Sequence, residues 1–385
     1  MTAAVYPGDA RALALALVQI DSRNPSLSAG APGEAACAAA LRDVLEAWGF
    51  RTELHDAAPG RPNLVARIGE RAGGRSLMLN GHLDVVGVEG MVHPPFAADE
   101  RDGQLYGRGA ADMKGGIAAM CAAAYRAAGA GIAGEIVIAA VADEEYESLG
   151  TRELVARGVR TDGAVVTEPT RLAIMPAHRG FVWVEVEVRG RAAHGSRWDL
   201  GVDAIRHAGL LLAELDRLDA DVLPATTHPL LGRGSLHASL IEGGIGLSTY
   251  PDRCTLSLER RTIPGESADD VLREIAVACA VVRAARPAFE ASVRLVGAQG
   301  PSDVAVEAPL VLSLAGAVRA NEGSVHVEGM SAWTDAALLN AAGIPAVCFG
   351  PGDISLAHAA EEYIPLHEID RAAAILATFA RSWCG

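Results

Sequence analysis

Aromatic residues are scarce in this chain: they make up 4% of its 385 residues, although half of all residues are hydrophobic. Its cores must therefore be built from Ala, Val, Leu and Ile. Cysteine is sparse too. Cys37, Cys121, Cys254, Cys279, Cys348 and Cys384 include no close pair. That spacing argues against a disulfide framework or a thiolate metal site and fits small buried thiols in a reducing compartment. Lys/Arg-rich runs are missing, and the net charge is −15. Phosphate binding needs a basic face, so nucleic acid is not an expected partner. No basic leader with an apolar core opens the sequence, and no uninterrupted apolar run reaches the ~18 residues of a membrane span. The expected location is cytoplasmic, without a membrane partner.

What is present is a change of pattern along the chain. Helical periodicity covers residues 9–20, 32–48 and 113–128, and short apolar runs cover 52–56, 63–68, 76–80, 135–141 and 163–166. Apolar runs alternating with helices predict a largely parallel, buried sheet. Residues 181–188 instead alternate apolar and polar, which fits a sheet with one face in water. Helices over 202–218 and 267–284 and strands over 235–242, 254–260 and 289–295 complete a β-α-β-β-α-β order. A strand over 345–349 and a helix over 368–383 then return to the first pattern. The expected fold class is α/β, a mostly parallel sheet with helices on both faces, plus an inserted α+β domain. The expected boundaries are 1–178 and 298–385 for the catalytic domain and 179–297 for the insert, in line with a length that exceeds one ordinary core.

Five short segments carry the chemistry: Gly81-His82-Leu83-Asp84, the stretch from Gly107 through Asp112 to Gly116, Asp143-Glu144-Glu145, Thr167-Glu168-Pro169, and the stretch from Ala357 through His358 to Glu362. Four of them fall at the carboxyl end of an expected strand or in the loop after one, where sites in open α/β sheets assemble. Asp112 sits just before a helix, whose N-terminus favours an ionised carboxylate. Two imidazoles and several carboxylates suit zinc. Two metals ~3.5–4 Å apart need a bridging carboxylate, and Asp112 suits that role. Each segment taken singly also has a bland reading. Asp112 is a possible helix cap, Glu144-Glu145 a solvated pair, and His358 a residue of a mobile loop.

Together the five segments resemble the acetylornithine deacetylase, succinyl-diaminopimelate desuccinylase, aminoacylase and glutamate carboxypeptidase family of di-zinc hydrolases. The resemblance runs over almost the whole chain in the same order. It implies that His82, Asp112 and Glu168 hold one divalent ion and that Asp112, Glu145 and His358 hold the other, zinc with cobalt or manganese as substitutes. It implies that Asp84 orients the His82 imidazole and that Glu144 is the general base and acid. In the insert, His194 resembles the family's oxyanion-stabilising histidine, often acting across a dimer, which implies a homodimer through the insert. Arg260 matches a carboxylate-binding arginine, a strand salt bridge being the equal alternative. The segment beginning at Gly350 offers backbone N–H groups to the same carboxylate. Ser248 stands where relatives have a substrate-contacting Asn, and Trp333 either borders the substrate or belongs to a core.

The function so implied is hydrolysis of the amide bond of an N-acyl amino acid. A dipeptidase or carboxypeptidase acting on short peptides is the alternative on the same scaffold. A metal-binding protein without catalysis would have no use for a free Glu144 beside a ligand, and a cysteine hydrolase would need a Cys in one of the five segments, where none occurs.

Overall fold

The computed structural model describes residues 5–70 and 72–385. The first four residues of the stretch read for a leader lie outside the described residues. Among the described residues, no helix is long and apolar enough to cross a membrane. The chain divides into two compact units. One comprises Met1–Pro176, Val304–Glu328 and Thr334–Gly385, the other Ala177–Asp303 and Gly329–Trp333.

The sheet of the first unit runs Arg51–Ala58, Arg61–Gly69, Glu135–Val141, Ser76–His82, Gly163–Val166, Ala346–Cys348 and then Ile174–His178. Its middle is parallel: Ser76–His82 pairs with Glu135–Val141 and with Gly163–Val166, which pairs in turn with Ala346–Cys348. Antiparallel strands flank this middle, so the sheet is mixed. Every residue of the four parallel strands is buried. Both faces are covered, which is why these strands read as unbroken apolar runs.

Alanine replaces aromatics in the packing. Ala118, Ala119, Ala122 and Ala123 of helix Gly115–Gly129 share one core with Ile369, Ala372, Ala373 and Leu376 of helix Leu366–Cys384. Small side chains let helix axes approach closely. A hairpin of Asp99–Arg101 and Gln104–Tyr106, joined by Tyr363–Pro365, was not expected from the sequence. It ties the segment after His358 to the segment before Asp112.

The second unit is a four-stranded antiparallel sheet in the order Ser235–Gly243, Arg253–Thr262, Gly180–Arg189 and Glu290–Gln299. Val182, Val184, Val186 and Val188 point to one face. There they form a core with Leu256 and Leu258 of the neighbouring strand and with Leu211 and Ile275 of helices Ala204–Arg217 and Ala268–Ala285. Asp203 caps the first helix, and Ser267 with Asp270 forms a capping box on the second. The fold is thus an α/β catalytic unit with a separate β-α sheet insertion, the class expected from the sequence.

Candidate metal centre

Three neighbouring parallel strands end together. His82 is the last residue of Ser76–His82 and lies opposite Val141 in register. Asp143, Glu144 and Glu145 follow Glu135–Val141, and Glu168 lies two residues past the end of Gly163–Val166. The segments so far apart in sequence therefore meet at one sheet edge. Two glycines let the backbone close around Glu168. A Cβ on Gly116 would lie 2.1 Å from the Thr167 carbonyl oxygen, and one on Gly350 would lie 2.5 Å from the carbonyl oxygens of both Thr167 and Glu168.

Asp112 does not cap a helix. It lies in an irregular turn, Ala110–Lys114, with φ −120° and ψ 92°, and helix Gly115–Gly129 starts after it without a side-chain cap. Its carboxylate faces two imidazoles. Oδ1 is 3.0 Å from His82 Nε2, and Oδ2 is 3.4 Å from His358 Nε2. His358 Nε2 is also 3.0 Å from Glu145 Oε2. Two sets of donor atoms result, each lying within 4.8 Å of one another: His82, Asp112 and Glu168, and Asp112, Glu145 and His358. Asp112 belongs to both. The first set is buried, whereas His358 is exposed.

The donor set fits two divalent cations. Burial drives the carboxyl groups of Glu144 and Glu145 upward, and that of Glu168 to about 8, with neighbouring carboxylates adding to the effect. Burial opposes charge on His82 as well, yet its contacts with Asp112 and the charges of Glu144 and Asp84 hold its pKa well above the usual value. Hydrogen bonds to Asp112 and Glu145 lift His358 to about 10. This many buried carboxylates around two imidazoles is an anionic excess that cations offset.

Backbone and side-chain contacts hold the ligands in place. His82 Nδ1 lies 2.8 Å from the Asp84 carbonyl oxygen and 3.7 Å from its carboxylate Oδ1. The carbonyl contact directs the Nδ1–H inward and leaves Nε2 toward Asp112. The Asp84 carboxylate instead accepts the backbone N–H groups of Glu144 at 3.1 Å and Glu145 at 3.2 Å. Glu362, four residues after His358, was not singled out from the sequence. It is fully buried and accepts from Arg108 Nη1 at 2.7 Å and from the backbone N–H groups of Gly109, Ala111 and Asp112. Its signal was the pairing of two quoted segments, one with an unused acid and one with an unused arginine.

The insert's candidates are placed differently. His194 and Ser248 are exposed and lie side by side, His194 bridging to Thr249 and Gly195 N–H donating to the Ser248 carbonyl oxygen at 2.7 Å. His194 Nδ1 accepts from the Ser196 backbone at 3.2 Å and lies 2.8 Å from Ser196 Oγ, which puts the ring proton on Nε2. Arg260 is 1% exposed and engaged by Glu266 at 2.7 Å, by Glu274 at 3.2 Å and by the Arg261 carbonyl oxygen. Its guanidinium is thus held by carboxylates of the insert, one before helix Ala268–Ala285 and one within it. The next residue, Arg261, points to the opposite sheet face beside Phe181 and is one-third exposed. Gly350 N–H donates to Thr170 Oγ1 at 3.0 Å and Gly352 N–H to Glu368 at 2.8 Å, so both are engaged inside the fold. Trp333 donates to the Gly300 carbonyl oxygen at 3.0 Å and meets Phe181 and His178 edge-on.

The chain is similar to known proteins. A model of peptidase family M20/M25/M40 matches residues 78–382. The chain is 35% identical to an acetylornithine deacetylase of Myxococcus xanthus over 89% of this chain and 90% of that protein. It is 29% identical to an N-formyl-4-amino-5-aminomethyl-2-methylpyrimidine deformylase of Bacillus subtilis over 89% and 88%. Its fold is similar to that of the aminopeptidase PepT from Bacillus cereus, with a TM-score of 0.82, 19% identity and coverage of 99% of this chain and 100% of that one.

Proposed function

The chain belongs to peptidase family M20/M25/M40, and from that premise we propose that it removes a small acyl group from an N-acyl amino acid, in the manner of an acetylornithine deacetylase. Its class is that of a metal-dependent hydrolase of amide or peptide bonds with a dinuclear site. The observation that carries the reading is Asp112, with its two oxygens turned to two different histidines. Two relatives whose names denote removal of acetyl and formyl groups support a deacylase.

His82, Asp112 and Glu168 would hold one ion, and Asp112, Glu145 and His358 the other, zinc with cobalt or manganese as substitutes. Such ions supply Lewis acidity and lower the pKa of water. Glu144 acts as the base. Burial and the charges of Glu168, Asp335 and Glu145 lift its carboxyl group well above the ordinary range, against the pull of His82. Its carboxylate takes a proton from the attacking water and returns it to the leaving amine nitrogen. Asp84 fixes its backbone. His194 presents Nε2–H as a donor for the developing oxyanion, with Ser248 beside it.

The insert also serves as a homodimer surface in this reading. Leu240, Ile241, Ile245 and Leu247 are exposed on and after its edge strand, and light scattering should give twice the chain mass. A cytoplasmic site of action is supported by six free, buried cysteines.

The test is a panel of N-acetyl, N-formyl and N-succinyl amino acids with dipeptides, run on metal-replete protein. Turnover of a small-acyl substrate above all dipeptides supports the proposal. Preference for dipeptides replaces it with a dipeptidase.

A further inference from the structure

Asn24, Arg61 and Glu34 lie before the region that the family model matches, yet they close a buried network against the loop that carries Glu144. The segment holding Asn24 is pinned to the end of the His82 strand. Ser22 Oγ donates to the Leu83 carbonyl oxygen at 2.7 Å, Val85 N–H to the Ser22 carbonyl oxygen at 3.1 Å, and Asn24 N–H to the Val85 carbonyl oxygen at 2.8 Å. Asn24 is therefore placed by backbone contacts, and its side chain points into the protein, with 0% exposure.

The Asn24 amide uses every bonding position it has. Nδ2 donates to Asp84 Oδ2 at 2.9 Å and to Asp143 Oδ1 at 3.0 Å. Oδ1 accepts from Arg61 Nη2 at 3.2 Å and from Ser26 N–H at 2.9 Å. Asp84 in turn receives the N–H groups of Glu144 and Glu145, and Asp143 receives that of Glu147 at 3.2 Å. Arg61 binds Asp143 at 3.0 Å and Glu34 at 2.5 Å. Asp84, Asp143 and Glu34 are three buried carboxylates with one guanidinium among them. Two buried carboxylates on one neighbour require a group that donates twice and carries no negative charge. Among side chains of this size only an amide does so while also accepting from Arg61.

We propose that Asn24 is a positioning residue for the reaction. Its amide locks Asp84 and Asp143 together, and through them sets where the Glu144–Glu145 backbone presents base and ligand. This rests on the reading of Glu144 as the base.

Asn24→Asp keeps the side chain's shape, removes both donations and adds a fourth carboxylate to the network. Asn24→Ser is neutral and smaller. Both are measured for thermal unfolding, for kcat and KM on the panel substrate with the highest kcat/KM, and for the visible absorption spectrum and affinity of bound cobalt(II). Removal of such an outer partner lowers activity or metal affinity by about 10- to 100-fold. The expected result is a loss of that size in kcat with KM within about threefold, and a changed cobalt spectrum, in protein that still folds. A folded variant with kcat within about twofold of the parent and an unchanged cobalt spectrum overturns the proposal. So does a fall in unfolding temperature alone, because that is what a packing role would give. If Asn24→Asp fails to fold, Asn24→Ser decides by the same criteria. Glu144→Gln is run beside them. Retained turnover there defeats the base assignment, while the cobalt spectra still judge Asn24.

Discussion

Replacing Glu362 with Gln keeps the side chain's length and shape and removes one charge. Oε1 of Glu362 accepts from Ala111 and Asp112 at 3.0 and 3.1 Å, and Oε2 from Arg108 and Gly109 at 2.7 and 3.1 Å. Whichever way the new amide turns, its NH2 group faces one of these pairs, and two buried donors lose their acceptor. Each unmet donor costs about 1–3 kcal/mol. Arg108 is 3% exposed on its side chain, and breaking a buried ion pair from one side costs about 3–5 kcal/mol. These contributions overlap rather than add, because Arg108 keeps its bond to the Gly87 carbonyl oxygen at 2.9 Å. The expected loss is therefore about 3–5 kcal/mol in the stability of the turn that presents Asp112.

Urea unfolding of the metal-free protein gives the total loss. Hydrogen exchange of the peptide spanning residues 107–115 locates it, which matters because the chain has two compact units and one midpoint can mix them. Faster exchange at the Gly109, Ala111 and Asp112 amides is the specific expectation. A stability loss below about 1 kcal/mol with unchanged exchange at those amides would refute the reasoning.

Glu144→Gln should retain both metals by elemental analysis and lose about 10²- to 10⁴-fold in kcat, the usual contribution of general acid–base catalysis; turnover close to that of the parent would remove Glu144 from the chemistry. His358→Ala should cut the metal bound in equilibrium dialysis from two equivalents toward one, since the set of His82, Asp112 and Glu168 is untouched; two equivalents bound as tightly as before would exclude His358 as a ligand. Burial holds the His178 imidazole down to about 4 from its usual 6.5. The unfolded chain binds that proton first, so stability should decline as pH falls from 6.5 through 4, by roughly 3 kcal/mol in all. His178→Gln should lack that part of the acid limb, and parallel stability profiles for the two proteins from pH 7 to pH 4 would contradict this.

The strands at Glu135–Val141 and Gly163–Val166 were legible residue for residue, because a buried parallel strand writes an unbroken apolar run between turn residues. The donor residues were legible as well, since five segments in a fixed order leave few other readings. Arg260 and Arg261 were harder. Leu256, Leu258 and Arg260 share one face of a strand by its period of two, but only the helices packed there show that this face is closed. The irregular turn at Asp112 was read as a simple helix start, because its contacts with Glu362 come from 250 residues away.

By itself, then, the sequence determined the residue types at the centre, the α/β class and the inserted sheet, because metal donors and hydrophobic periodicity are local properties of the chain. The tertiary structure alone decided which oxygen of Asp112 faces which histidine, which arginine is enclosed, and that Asn24 and Glu362 brace the loops. Those are matters of distance between segments that no local pattern encodes.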